Sequence, residues 1–189
     1  MRAQALLTGL ALVITIPLTS PAPPAHAAAD GCAPGVQSDF NGDGWSDAVV
    51  ADPMATVSGV VEAGRIVVLY GDGDGRVGEG LRDELHQNSP GVGGGAEPGD
   101  HFGAALATAD LDCDGYTDVV VGVPGEDIGG LADVGWVQVV HGGAGGLGTS
   151  SPGVHYSQSS FGAVAAAGDE FGYAVDAVED LGQGGTPDP

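Results

Sequence analysis

The stretch Asp110-Leu111-Asp112-Cys113-Asp114-Gly115-Tyr116-Thr117-Asp118, continuing as Val119-Val120-Val121-Gly122-Val123-Pro124, decides how the chain folds. Aspartates stand at loop positions 1, 3, 5 and 9, and glycine at position 6. Carboxylates crowded this closely repel one another, and a hard cation among them removes the repulsion. Calcium takes roughly six to eight oxygens, which a turn of this pattern can supply from side chains and backbone together. The expected ligands are the side chains of Asp110, Asp112, Asp114 and Asp118, with the carbonyl of Tyr116 at position 7. Gly115 allows the sharp bend that returns the later ligands. A helix–loop–helix calcium site would carry a glutamate at position 12. Here position 12 is Val121, inside a β-branched run that reads as a buried strand. The loop therefore belongs on a β-hairpin.

The same stretch occurs earlier as Asp39-Phe40-Asn41-Gly42-Asp43-Gly44-Trp45-Ser46-Asp47. Its expected ligands are Asp39, Asn41, Asp43, Asp47 and the carbonyl of Trp45. A shift of 71 residues also aligns the segments after the two loops without a gap: Val49-Val50 on Val120-Val121, Pro53 on Pro124, Gly64 on Gly135, Gly71 on Gly142. A period of this length, with loop and strands both in register, marks a repeat architecture. With four carboxylates against three, loop two is expected to bind the more tightly.

Composition agrees with many short strands and tight turns. The chain has 36 glycines, few aromatics and a net charge of -22. Its four basic residues are all arginines, too few to grip nucleic-acid phosphates or an anionic membrane surface. Residues 1–27 read as a secretory signal peptide: Arg2, an apolar run from Ala5 to Ile16, prolines, then Ala25-His26-Ala27 as a small-x-small cleavage site. An uncleaved anchor is the alternative. Secretion, with no membrane insertion after cleavage, is the expected location, and it brings the loops to abundant calcium. In that oxidising compartment Cys32 and Cys113 are a candidate disulfide, against a free or intermolecular thiol.

Strand signals divide the rest into units. Residues 28–98 form repeat one, with strands at 47–51 and 65–70, a weak edge strand at 84–88, and no good strand before its loop. The glycine-rich Gly71 to Gly80 is expected to be a hairpin turn rather than a further cation site. Residues 99–167 form a complete repeat two, with strands at 101–108, 118–123, 136–141 and 154–159. Residues 168–189 open a third repeat at Gly168-Asp169-Glu170-Phe171-Gly172 and align Asp180 and Asp188 with loop positions 1 and 9. Glycines at positions 3 and 5 leave Asp180 and Asp188 a weak candidate metal site. Four strands per unit, none able to bury its faces alone, is the logic of a propeller blade.

Phe102-Gly103, six residues, the Asp-x-Asp-x-Asp-Gly-x-x-Asp loop and then Val-Val-Val-Gly-Val-Pro together resemble an FG-GAP repeat. That family includes the N-terminal β-propeller of integrin α subunits and many secreted bacterial proteins. Gly122-Val123-Pro124 stands where the family has Gly-Ala-Pro, and Ala51-Asp52-Pro53 is a looser version. The resemblance spans about Asp39 to Asp188. It implies an all-β partial β-propeller: about two four-stranded antiparallel blades and the start of a third, with calcium in the hairpin loops. Such propellers typically close with seven blades, so self-association of an incomplete one is a corollary.

A catalytic site is not legible. The Gly-x-Ser-x-Gly elbow, the zinc-binding His-Glu-x-x-His and the phosphate loop are all missing from the sequence. His86, His101, His141 and His155 lack zinc-ligand spacing with one another and read as edge or structural residues. Phe102 and Phe171 are expected to pack between blades. The expected function is a secreted, non-catalytic calcium-binding module for adhesion, or for binding an extracellular protein or glycan. The alternative is an accessory propeller portion of a secreted esterase- or phospholipase-like hydrolase whose catalytic residues lie outside this chain.

Overall fold

The computed structural model describes residues 38–177. Their architecture is all-β, in two antiparallel sheets. Strands β1 (Ala48–Asp52), β2 (Arg65–Gly71) and β3 (Val77–Leu85) form the first sheet in that order. Strands β4 (Ala105–Ala109), β5 (Asp118–Val123), β6 (Trp136–Val140) and β7 (Val154–Tyr156) form the second, also in sequence order. A single 3-10 turn, Gln158–Phe161, follows β7.

Strand β5 explains the second sheet. All six of its residues are buried, as its unbroken apolar run requires. It pairs with β4 on one side, Val120 opposite Ala107, and with β6 on the other, Val120 opposite Val139. In the first sheet β2 alternates, with Ile66, Val68 and Tyr70 buried and the residues between them half-buried. These three and Leu85 join Val119, Val121, Val123, Trp136 and Val140 of the second sheet in one core, completed by Phe40, Phe102, Val92 and Leu147. The two sheets thus share their apolar interior.

The 71-residue period holds at the level of single bonds. Val57 bridges Val60 between β1 and β2, and Ile128 bridges Leu131 between β5 and β6. The Gly64 N–H donates to Ala55 O, and the Gly135 N–H to Glu126 O, at 3.1 and 3.0 Å. Each unit is then stitched to the Phe-Gly segment that opens the next. Gly99, His101 and Phe102 donate to Val61, Glu62 and Ala63 at 3.1, 3.1 and 3.0 Å. Gly168, Glu170 and Phe171 donate in the same way to Ala132, Asp133 and Val134. Glycine is required at this seam. A Cβ on Gly64 would stand 2.2 Å from Phe102 O, and one on Gly135 2.3 Å from Phe171 O.

Three strand boundaries differ from expectation, each for a visible reason. Strand β4 begins at Ala105 rather than 101, because His101 and Gly103 have φ of 56° and 93° and the Ala104 N–H closes a turn onto His101 O. Strand β3 occupies Val77–Leu85 rather than 84–88. Its turn is only Asp72–Arg76, and the Ser89 N–H bonds His86 O, ending the strand. The strand is mostly exposed, so it carries little apolar alternation to read. Strand β7 stops at Tyr156 because Ser157 caps the 3-10 turn.

Candidate metal centre

Loop two connects β4 to β5, so its two ends are pinned by adjacent antiparallel strands. The carboxylate oxygens of Asp110, Asp112 and Asp114 converge, all within 4.8 Å of one another. Asp110 is half-buried and the other two are exposed. The loop folds around Asp110, whose oxygens accept the N–H groups of Asp114 and Gly115 at 3.2 and 3.1 Å. Asp114 accepts the Tyr116 N–H at 2.9 Å, an Asx turn that aims the chain back toward the strand. Three converging carboxylates open to solvent are a donor set suited to a hard divalent cation. Without one, their mutual repulsion is borne by the loop alone.

Asp118, at position 9, does something different. It is fully buried, and its two oxygens accept the Leu111 and Gly142 N–H groups, both at 2.9 Å. One carboxylate therefore ties the beginning of the loop to the residue after His141. Burial pushes the Asp118 carboxyl up, against the two backbone hydrogen bonds that pull it down. Asp47 repeats the arrangement: it accepts the Phe40 N–H at 2.8 Å and the Gly71 N–H at 2.9 Å, and burial likewise raises it.

Loop one closes more tightly on itself. Asp39 accepts N–H groups from Gly42, Asp43 and Gly44 at 2.7, 3.2 and 2.9 Å. The Asn41 amide nitrogen donates to Asp43 at 3.0 Å, so the substitution at position 3 replaces a repulsion by a hydrogen bond. Among the described residues no cluster of three carboxylates forms here as it does in loop two. The loops also touch. The Thr117 N–H donates to Asp39 O at 2.8 Å, and a Cβ on Gly42 would stand 2.3 Å from the Tyr116 ring. Tyr116 thus covers loop one, while Trp45 lies against Gly73.

Cys113 is disulfide-bonded. Cys32, Asp180, Asp188 and the leader at 1–27 lie outside the described residues. Phe102 is fully buried between the sheets, as expected, and Phe171 is half-buried. His155 is exposed on the edge strand β7, as expected, and its ring stacks on Trp136 with centroids 4.3 Å apart. No helix among the described residues is long and apolar enough to cross a membrane.

Sequence reading missed a second acidic group. Glu126 and Asp100 are buried at the seam between the units, with Gln87 donating to Glu126 at 2.7 Å and Asp100 accepting the Glu97 N–H at 2.6 Å. Burial and then the neighbouring Asp100 charge lift the Glu126 carboxyl to about 8; burial, with Glu97 and Asp127 nearby, lifts Asp100 to about 6. The one available signal was that Glu126 replaces Ala55 of the first unit. A raised acid holds its proton in the folded state, so its stability contribution is lost as pH rises, here from about 4.5 through about 8. Glu126→Gln, scanned at saturating calcium, should match the parent Tm at pH 5 and exceed it by about 4 °C or more at pH 9.

Comparison with known proteins places this geometry. Residues 102–140 match the FG-GAP repeat model. The chain is also 36% identical over 120 residues to phosphatidylinositol-glycan-specific phospholipase D of Rattus norvegicus, a match covering 64% of this chain and 14% of that protein. The proteins of the same description from Bos taurus and Homo sapiens are 35% and 34% identical over 122 residues, again 64% of this chain and 14% of theirs. The similarity therefore lies in a repeat region and spans a small part of each relative. From Phe102 at the seam, through loop two, to Val140 at the end of β6, this chain carries an FG-GAP repeat, which builds strands β4 to β6 of the second sheet.

Proposed function

We propose that the chain is a secreted FG-GAP module in which calcium braces the blade hairpins for binding or adhesion rather than catalysis. The observation that carries this is the convergence of Asp110, Asp112 and Asp114 within 4.8 Å, in a loop whose plan recurs 71 residues earlier. Calcium would neutralise these carboxylates and lock β4 to β5; Asp39, Asn41, Asp43 and the Trp45 carbonyl would do the same before β1. The signal peptide at 1–27, the unit boundaries at 98/99 and 167/168, and a Cys32–Cys113 disulfide tethering the first unit to loop two belong to the same reading. The partner would be an extracellular protein or glycan.

Sites of this type bind on the order of 10⁻⁴–10⁻³ M. Calcium at about ten to a hundred times Kd should raise folding stability by about 1–3 kcal/mol. Thermal unfolding with millimolar calcium and with chelator measures this. Asp112→Ala and Asp114→Ala are each expected to abolish most of the calcium-dependent rise while leaving the chelated Tm nearly unchanged. A Tm independent of calcium would remove the reading.

The relatives favour a second reading, in which the module accompanies a hydrolase. Their name specifies phospholipase D, and this chain matches only 14% of their length. Incubated with a phosphatidylinositol-glycan, the chain alone should release no product under this reading, since the chemistry would reside in other parts of the parent protein. Turnover by the chain alone would overturn both readings.

A further inference from the structure

His141 directly follows β6 and stands beside loop two. Its Nδ1 is 3.5 Å from Asp112 Oδ2 and 3.5 Å from Asp118 Oδ1, and the three ligand atoms lie within 4.8 Å of one another. The nitrogen is buried and has no hydrogen-bond partner. A distance of 3.5 Å is long for an N–H···O bond, which prefers about 2.7–3.2 Å. It is close to the edge of a tetrahedron around zinc, about 3.3–3.4 Å for bonds of about 2.0–2.1 Å. The geometry points to a transition-metal site formed by His141, Asp112 and Asp118, which shares Asp112 with the oxygen-only cluster of Asp110, Asp112 and Asp114.

The chemistry of the donors supports a zinc-like ion. Imidazole suits Zn²⁺, Cu²⁺ and Ni²⁺, whereas calcium takes oxygen. The site is also held in place before any ion arrives. The Gly142 N–H fixes Asp118 Oδ1 at 2.9 Å, directly beside His141 in the chain. A Cβ on Gly142 would meet Thr117 O at 2.5 Å, so the backbone there is packed against the loop. Asp112 is exposed, which gives an ion a path in and leaves a fourth position for water. The first unit has no counterpart. Tyr70 replaces His141 there and donates to Asp83 at 2.8 Å, and Asn41 replaces Asp112.

The zinc-like site shares the loop geometry but does not require calcium occupancy, and the test separates the two. Zn²⁺ is titrated calorimetrically into the full chain, and Co²⁺ is followed by its visible absorption, with calcium binding measured in parallel. The parent should bind Zn²⁺, and Co²⁺ should give the intense bands of a four-coordinate site. His141→Ala should weaken Zn²⁺ binding at least about tenfold, with calcium affinity within about twofold. His141→Tyr, which introduces the residue type that the first unit carries at this point, guards against a folding defect and should behave alike. Zn²⁺ affinity unchanged in both variants, or no Zn²⁺ binding by the folded parent, would overturn the site and leave His141 as a packing neighbour of Asp118. Loss of calcium binding in the parent, with His141-dependent zinc binding intact, would count against the calcium reading alone.

Discussion

Asp118→Ala should destabilise the fold by about 2–5 kcal/mol, and by nearly the same amount with calcium or with chelator. The size reflects what the carboxylate holds. It is fully buried and is the acceptor for two backbone N–H groups, Leu111 and Gly142. Each donor left unsatisfied in the interior costs about 1–3 kcal/mol. The Gly142 N–H is buried and has no access to water as a substitute, whereas the Leu111 N–H, in an exposed loop, loses less. Asp112→Ala is the contrast. Asp112 is exposed, so its loss should be felt through the cation and through little else. Urea unfolding of the two variants, each in calcium and in chelator, gives four numbers. Asp118 is a structural peg if its two losses agree, and chiefly a cation ligand if its loss appears only with calcium.

This division within one loop shows how far the sequence could be read. The spacing of Asp110, Asp112, Asp114 and Asp118 located the loop, and the valine run after it located β5, because both are local patterns with a period of their own. The 71-residue shift was legible for the same reason, and the hydrogen bonds of the two loops obey it. The separate task of Asp118 was not legible. It depends on Gly142, 24 residues away, arriving through the pairing of β6 with β5. The placement of His141 beside Asp112 was not legible either: no motif links the two, and only the sheet brings them together. Strand β3 failed on different grounds, since an exposed edge strand needs no apolar alternation. The Asp100–Glu126 pair joins the end of one unit to the beginning of another, which no pattern within a unit records.

Phe102→Ala should cost about 3–5 kcal/mol, the range for removing a buried aromatic ring from a packed interior. Phe102 is fully buried in the core shared by Ile66 and Val68 of the first sheet and Val119, Val121 and Val123 of the second. Its backbone is held independently, by the bond to Ala63 O and the bridge to Gly64, so the substitution should leave a cavity rather than collapse the seam. Phe171→Ala is the internal comparison. It repeats the backbone pattern against Val134, but its ring is only half-buried, and its loss should cost about 1 kcal/mol. The shape of the transition carries as much information as its midpoint. Because the ring joins both sheets, Phe102→Ala should shift one cooperative transition to lower urea with its slope unchanged. Two resolved transitions would mean that the units fold separately and that the core seen as continuous is two cores in contact. A single shifted transition would establish the Phe-Gly segment as the joint through which one blade stabilises the next.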